Sequence, residues 1–215
     1  MSGQHTWNSA IHNRNFVVQI VTTSVVLLII LFYLPTYFHT VIDPRPGGQL
    51  QDPVQNLFAP KDFSVLIFSL IYVSLLIVLW GLIKKPYQIA LALGSYLVIT
   101  ITRIITMYLF TLEPPVGIIV LQDPFIDRLA YGGSQFTKDL FFSGHVATLT
   151  LLALVEQRPL VKKIVWTCTI LVGGLLILQR VHYTVDVLAA PIITYGIVKG
   201  LNQFQKGHSD DDLKG

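Results

Sequence analysis

Apolar positions run along this chain in long unbroken blocks rather than in alternation. A helix that crosses a bilayer needs roughly 20 mostly apolar residues. That length predicts spans over Phe16 to Phe38, Phe63 to Ile83 and Pro86 to Phe110. Three further blocks follow. Leu140 to Val155 is short and contains the polar group Ser143-Gly144-His145 near its start. Val161 to Leu178 is a plain apolar run, and Val181 to Leu201 contains His182, Asp186 and Pro191. The pattern predicts an all-α fold, a six-helix transmembrane bundle over residues 16–201. A cytoplasmic N-terminus (1–15) and a polar cytoplasmic tail (202–215) flank it. Unbroken blocks argue against an outer-membrane barrel, whose strands alternate. The first block exceeds the roughly 7–15 apolar residues of a signal peptide and has no small-residue cleavage site, so it is expected to remain as a helix.

Composition sharpens this picture. Of 215 residues, 53% are apolar and 13% are charged, about half the charge of an average soluble domain. With one cysteine, Cys168, and ordinary glycine and proline, disorder, collagen and a disulfide scaffold are excluded. Cys168 reads as a small apolar residue of the fifth span.

The net charge of +3 suggests a nucleic-acid partner until the charges are located. Nine basic residues fall on the side that six spans give to both termini: Arg14, Lys84, Lys85, Arg158, Lys162, Lys163, Lys199, Lys206 and Lys214. Arg45, Lys61, Arg103, Arg128, Lys138 and Arg180 lie on or toward the other side. The compact basic turns at Lys84-Lys85 and Arg158 to Lys163 predict that both termini are cytoplasmic. The positive charge is then a topology signal, and no nucleic-acid partner is expected. The two long connections, His39 to Asp62 and Thr111 to Asp139, fall on the non-cytoplasmic side. The tail, with Asp210 to Asp212, reads as solvated.

Ionisable side chains inside a membrane segment cost about 2.5–3.5 kcal/mol each on insertion scales, so each needs a reason. Arg103, His145, His182 and Asp186 stand out. Two crossings separate His145 from His182, which returns both to the same, non-cytoplasmic end, together with Asp139. His182 and Asp186 are four apart, a spacing that shares one helix face. There the carboxylate can accept a hydrogen bond from one imidazole nitrogen and leave the other as a nucleophile. Such a pair is equally read as a structural ion pair. Ser143 is placed to cap a helix, Gly144 lets a ligand approach the backbone, and the helix start favours an anion. His145 would stand beside that anion as a general acid. Arg103 either snorkels or holds phosphate oxygens or a carboxylate. The His and Asp spacing matches no zinc pattern, so no metal and no cofactor are expected.

At these residues a family resemblance emerges. Asp139-Leu-Phe-Phe-Ser-Gly-His145 and His182-Tyr-Thr-Val-Asp186-Val resemble the two signature motifs of sphingomyelin synthases, in the type 2 phosphatidic acid phosphatase superfamily. Arg103-Ile-Ile-Thr-Met-Tyr, followed by Leu112 and Pro114-Pro115, is similar to that family's third-span motif. The resemblance implies that His182, oriented by Asp186, attacks the phosphorus of a glycerophospholipid. His145 then protonates the departing diacylglycerol oxygen. A phosphohistidine-type intermediate passes the head group to ceramide, another lipid alcohol of diacylglycerol type, or water. Asp139 would lie near the head group, with Arg103, Ser143, Gly144 and Tyr183 binding substrate. The implied partners are membrane lipids.

The chain departs from the superfamily's broader phosphatases. These carry an arginine six residues before the second histidine, where this chain has Leu176; Arg180 stands two before His182. Thr137-Lys138 replaces the Cys-Gly pair before the acidic residue. A lipid phosphate or diphosphate phosphatase is the alternative enzyme. A non-catalytic lipid-binding or lipid-partitioning membrane protein is the alternative of another class.

Overall fold

The computed structural model of the chain describes residues 6–123 and 137–211, the last six by backbone alone. Arg128 and Lys214, assigned above to opposite sides, and Asp212 of the tail lie outside the described residues, as do the side chains of Lys206, Asp210 and Asp211.

All regular elements among the described residues are helical. α1 (Trp7–His12) leads into α2 (Arg14–Tyr37), which passes through Pro35 and widens into a π-helical turn, Phe38–Ile42. A 3-10 turn, Gln55–Leu57, lies in the first long loop. Then come α3 (Ser64–Leu82), α4 (Pro86–Leu109), α5 (Gly144–Val155), α6 (Pro159–Leu178) and α7 (Thr184–Asp211). Pro86 and Pro159 stand in the first turns of α4 and α6, where a missing N–H costs nothing.

Among the described residues five helices are long and apolar enough to cross a membrane: Arg14–Ile42, Ser64–Leu82, Pro86–Leu109, Pro159–Leu178 and Thr184–Gln205. The predicted fourth span differs. Its helix has 12 residues, about 18 Å at 1.5 Å per residue, against a hydrocarbon core of about 30 Å. The cause is local: the Ser143 hydroxyl caps the helix by accepting from the Val146 amide at 3.5 Å, so residues 139–143 enter it as irregular chain.

Short as it is, α5 is the hub. It packs against α3, α4, α6 and α7, and eight of its residues, Val146 through Val155 with few gaps, are buried. The α2 helix lies at the periphery, burying only Phe16 and Leu27 and packing on α4. Its exposed Leu28, Ile29 and Phe32 suit a lipid-facing surface.

Hydrogen bonds define the two ends of the bundle. At one, the Trp7 indole donates to the Ile83 carbonyl (2.6 Å) and Lys85 Nζ donates to Gln157 Oε1 (2.7 Å). The N-terminal helix and both compact basic turns therefore meet, as the crossing parity predicts. At the other end the long loops zip together. The Gly48 amide donates to the Thr111 carbonyl and the Glu113 amide to the Gly48 carbonyl, both at 3.0 Å.

The end of α6 steers the chain into the candidate site. The Val181 amide donates to the Leu176 carbonyl and the Arg180 amide to the Ile177 carbonyl, both at 3.0 Å. This is a Schellman stop, whose left-handed position usually holds glycine. Here Arg180 holds it, at φ 60°. Its guanidinium compensates by donating to the carbonyls of Val116 (2.7 Å), Gln55 (3.1 Å) and Phe58 (3.2 Å), which ties both long loops to the turn before His182.

Candidate active site at the loop end

The starts of α5 and α7 are joined directly. The Ser143 amide donates to the Asp186 carbonyl at 3.2 Å. This junction brings the His145 and His182 rings to a centroid separation of 6.2 Å, edge to face. Phe68 of α3 closes the other side of His145 at 5.7 Å. Nδ1 of both histidines is buried without a hydrogen-bond partner among the described residues.

His182 and Asp186 also meet, but not as two rungs of one helix. Because α7 begins at Thr184, His182 precedes its first turn. His182 Nδ1 faces Asp186 Oδ2 at 3.6 Å, an ion-pair distance rather than the expected hydrogen bond. The reason is competition at the helix start, where the first amides have no intrahelical acceptor. Asp186 Oδ2 accepts from the Tyr183 amide at 3.0 Å, the reach-back bond of a capping box. Asp186 is fully buried, and its Oδ1 has no hydrogen-bond partner among the described residues.

Arg103 points inward instead of snorkelling. Its Nη2 pairs with Asp139 and its Nε donates to the Phe142 carbonyl at 3.1 Å. The guanidinium also fills the space over Gly144, where an added Cβ would meet Arg103 Nη1 at 2.5 Å. The close approach foreseen at Gly144 is thus made by a side chain of this protein. Tyr183 is buried, and its hydroxyl donates to the Glu113 carbonyl (3.0 Å) and accepts from the Leu50 amide (3.3 Å).

The structure adds residues that sequence reasoning missed. Asp52 Oδ2 accepts from the Thr184 amide at 2.6 Å, and Asp52 Oδ1 accepts from the Thr184 hydroxyl at 3.1 Å. Gln55 Nε2 donates to the His182 carbonyl at 2.8 Å. Buried Gln179 accepts from the Phe63 amide (2.8 Å) and donates to Ser64 Oγ (2.9 Å) and the Ile119 carbonyl (3.1 Å). Lys138 Nζ bridges Glu113 Oε1 and the Arg45 carbonyl, both at 2.8 Å. Only Asp52 carried a local signal, an Asp-Pro turn in which its Oδ1 accepts from the Val54 amide at 3.0 Å. Among the described residues no three His, Cys, Asp or Glu side chains are grouped as a metal site.

Two cavities of about 500 Å³ open beside this framework and share Leu50, Gln51, Asp52 and Tyr183. One continues along apolar residues of α7, Val185, Leu188 and Ile192. The other is polar, with Gln55, Asn56 and Arg180 in its wall.

Residues 138–202 match a family model described as PAP2 superfamily C-terminal. The match supports membership of the PAP2 superfamily. The matched segment contains α5, α6 and most of α7, hence Asp139, Ser143, Gly144, His145, His182, Tyr183 and Asp186. Arg103 and the first long loop fall outside it. A PAP2 segment supports a lipid phosphatase or phosphotransferase type of function. No curated protein matches the chain.

Proposed function

We propose that the chain is a six-span membrane phospholipid head-group phosphotransferase of the sphingomyelin synthase type. Both termini are cytoplasmic and the site is on the opposite face. The observation that carries the reading is the meeting of His145, His182 and Asp186 at the junction of α5 and α7, beside the Arg103–Asp139 pair.

In this reading Asp186 holds Nδ1 of His182, so that Nε2 attacks phosphorus. The phosphorus–oxygen bond to diacylglycerol breaks, and His145 gives its proton to the departing oxygen. In the second half the hydroxyl of ceramide or of another acceptor, water included, attacks phosphorus. The phosphorus–nitrogen bond breaks, and His145 takes the hydroxyl proton. Arg103 faces the start of α5, where amides and guanidinium together favour a phosphate, and Asp139 fixes it. No step calls for a metal.

Two observations favour head-group transfer over phosphate-monoester hydrolysis. Leu176 is fully buried among apolar side chains, where the broader phosphatases have an arginine. Arg180 spends its guanidinium on loop carbonyls. The test uses purified full chain in detergent with phosphatidylcholine or phosphatidylethanolamine labelled in the head group, with and without ceramide. Labelled product that depends on His182 is expected. Turnover by His182→Ala at the wild-type rate overturns the mechanism. Release of inorganic phosphate from phosphatidic acid, with head-group esters untouched, selects the phosphatase reading.

A further inference from the structure

The first long loop does more than cover the bundle end. Across 132 residues of sequence it supplies a carboxylate to the Thr184 amide and hydroxyl, at 2.6 and 3.1 Å. Three residues later it supplies the Gln55 amide to the main-chain carbonyl of His182, at 2.8 Å. The Gln55 carbonyl is held in turn by Arg180. His182 lies outside helical structure; α7 holds the amide side of the His182–Tyr183 peptide through Asp186, and the loop holds its carbonyl side through Gln55. Both loop side chains are buried.

The start of α7 has two neighbouring amides in need of an acceptor, Tyr183 and Thr184. Two carboxylates divide them: Asp186 takes Tyr183 and Asp52 takes Thr184. An amide at membrane depth without a partner is costly. Without Asp52, the Thr184 amide can turn to Asp186, two residues on at the same helix start, whose Oδ1 is uncommitted among the described residues. Drawing Asp186 toward Thr184 takes it away from His182 Nδ1.

We propose that Asp52 and Gln55 are positioning residues for the His182–Asp186 pair. Asp52 frees Asp186 from capping a second amide, and Gln55 pins the His182 main chain. This inference rests on the reading of His182 as nucleophile.

Steady-state turnover of the full chain in detergent tests it, with head-group-labelled phosphatidylcholine or phosphatidylethanolamine as probe. Asp52→Ala is expected to lower kcat about tenfold to a hundredfold, the scale of a misplaced reacting group, with KM unchanged. In an Asp186→Asn background the same substitution should add no further loss, because the two act through one contact. Asp52→Asn retains size and one oxygen, covers the case in which Asp52→Ala fails to fold, and should show the same split. Gln55→Ala should lower kcat in the same sense. The control is Asp62→Ala. Asp62 accepts from the Ser64 amide at 2.8 Å, at the start of α3. Its loss should lower thermal stability and spare kcat. Wild-type kcat in both Asp52 variants, or a loss that is fully additive with Asp186→Asn, overturns the proposal while leaving the nucleophile assignment intact. A fully active His182→Ala enzyme overturns both.

Discussion

The guanidinium of Arg103 rests on the α-carbon of Gly144, so closely that a methyl group there would lie 2.5 Å from Nη1 and 2.6 Å from Cζ. The charge that pairs with Asp139 is therefore seated by the absence of a side chain one residue before His145. Gly144→Ala must push the guanidinium off its seat or bend the start of α5. A loss of about 1–3 kcal/mol of stability is expected, the usual cost of overpacking. Turnover should fall more steeply than thermal unfolding suggests, because Arg103 and His145 move together. Comparing melting temperature with kcat in the same preparation checks this.

Removing the histidines should separate their roles. His182→Ala is expected to lose about a thousandfold or more on every lipid, as with a missing nucleophile or base in other activated sites. His145→Ala should lose about 10²–10⁴-fold on natural lipids. It should recover much of that on a head-group ester with a nitrophenol leaving group, which needs no proton. Parallel losses of both variants on the nitrophenyl ester would contradict the division of labour.

Arg180 allows a sharper stability test than a deletion alone. Arg180→Gly relieves a left-handed backbone, worth roughly 1 kcal/mol, yet removes three charge-assisted bonds to loop carbonyls. Arg180→Ala removes the same bonds and keeps the strain. Both should destabilise, with glycine the milder by about that amount, as read from thermal unfolding in detergent.

Acid should loosen the loop end from below the ordinary carboxylate range. Asp52 is held under its usual pKa: burial opposes this, but hydrogen bonds from Thr184, Val54 and Gln55 outweigh it. Glu113 is lowered by its bond from Lys138. A depressed folded pKa contributes stability that is present above the unfolded value of about 4 and lost as pH falls through the folded value. Thermal stability should therefore show no loss from these groups between pH 7 and pH 5, and should fall below about pH 4. Asp52→Asn and Glu113→Gln should each flatten part of that acid limb.

The sequence was most informative where a single physical rule decides. Block length located most helix ends to within about four residues, although α7 runs on to Asp211, ten residues past the predicted end at Leu201 and into the predicted tail; crossing parity put His145, His182 and Asp139 at one end, and Ser143 caps α5 as its residue type suggests. It was less informative where two rules compete. The four-residue spacing of His182 and Asp186 reads as one helix face, but the capping chemistry of Asp186 starts α7 two residues after the histidine. Least legible were Asp52, Gln55, Gln179 and Arg180. Their partners are mostly main-chain groups 60 or more residues away, and a main-chain partner leaves no mark in the identity of the residue that supplies it.

The short α5 has a consequence for the proposed lipid chemistry. In the proposed six-span arrangement its 12 residues leave about 12 Å of a 30 Å hydrocarbon layer to be crossed by other means, and residues 139–143 would fill part of that depth without helical bonds. Such chain persists in a membrane only where protein or trapped water satisfies it. Here Thr106 Oγ1 donates to the Phe141 carbonyl, Arg103 to the Phe142 carbonyl, and the Ser143 amide to Asp186. In the proposed reading the turns that α5 lacks set the depth of the histidines, and a phospholipid reaching them would sink its phosphate below the plane of its neighbours while its chains stay in the leaflet. Extending α5 by one turn at its start would lift His145 away from His182 and leave three neighbouring groups without their partners.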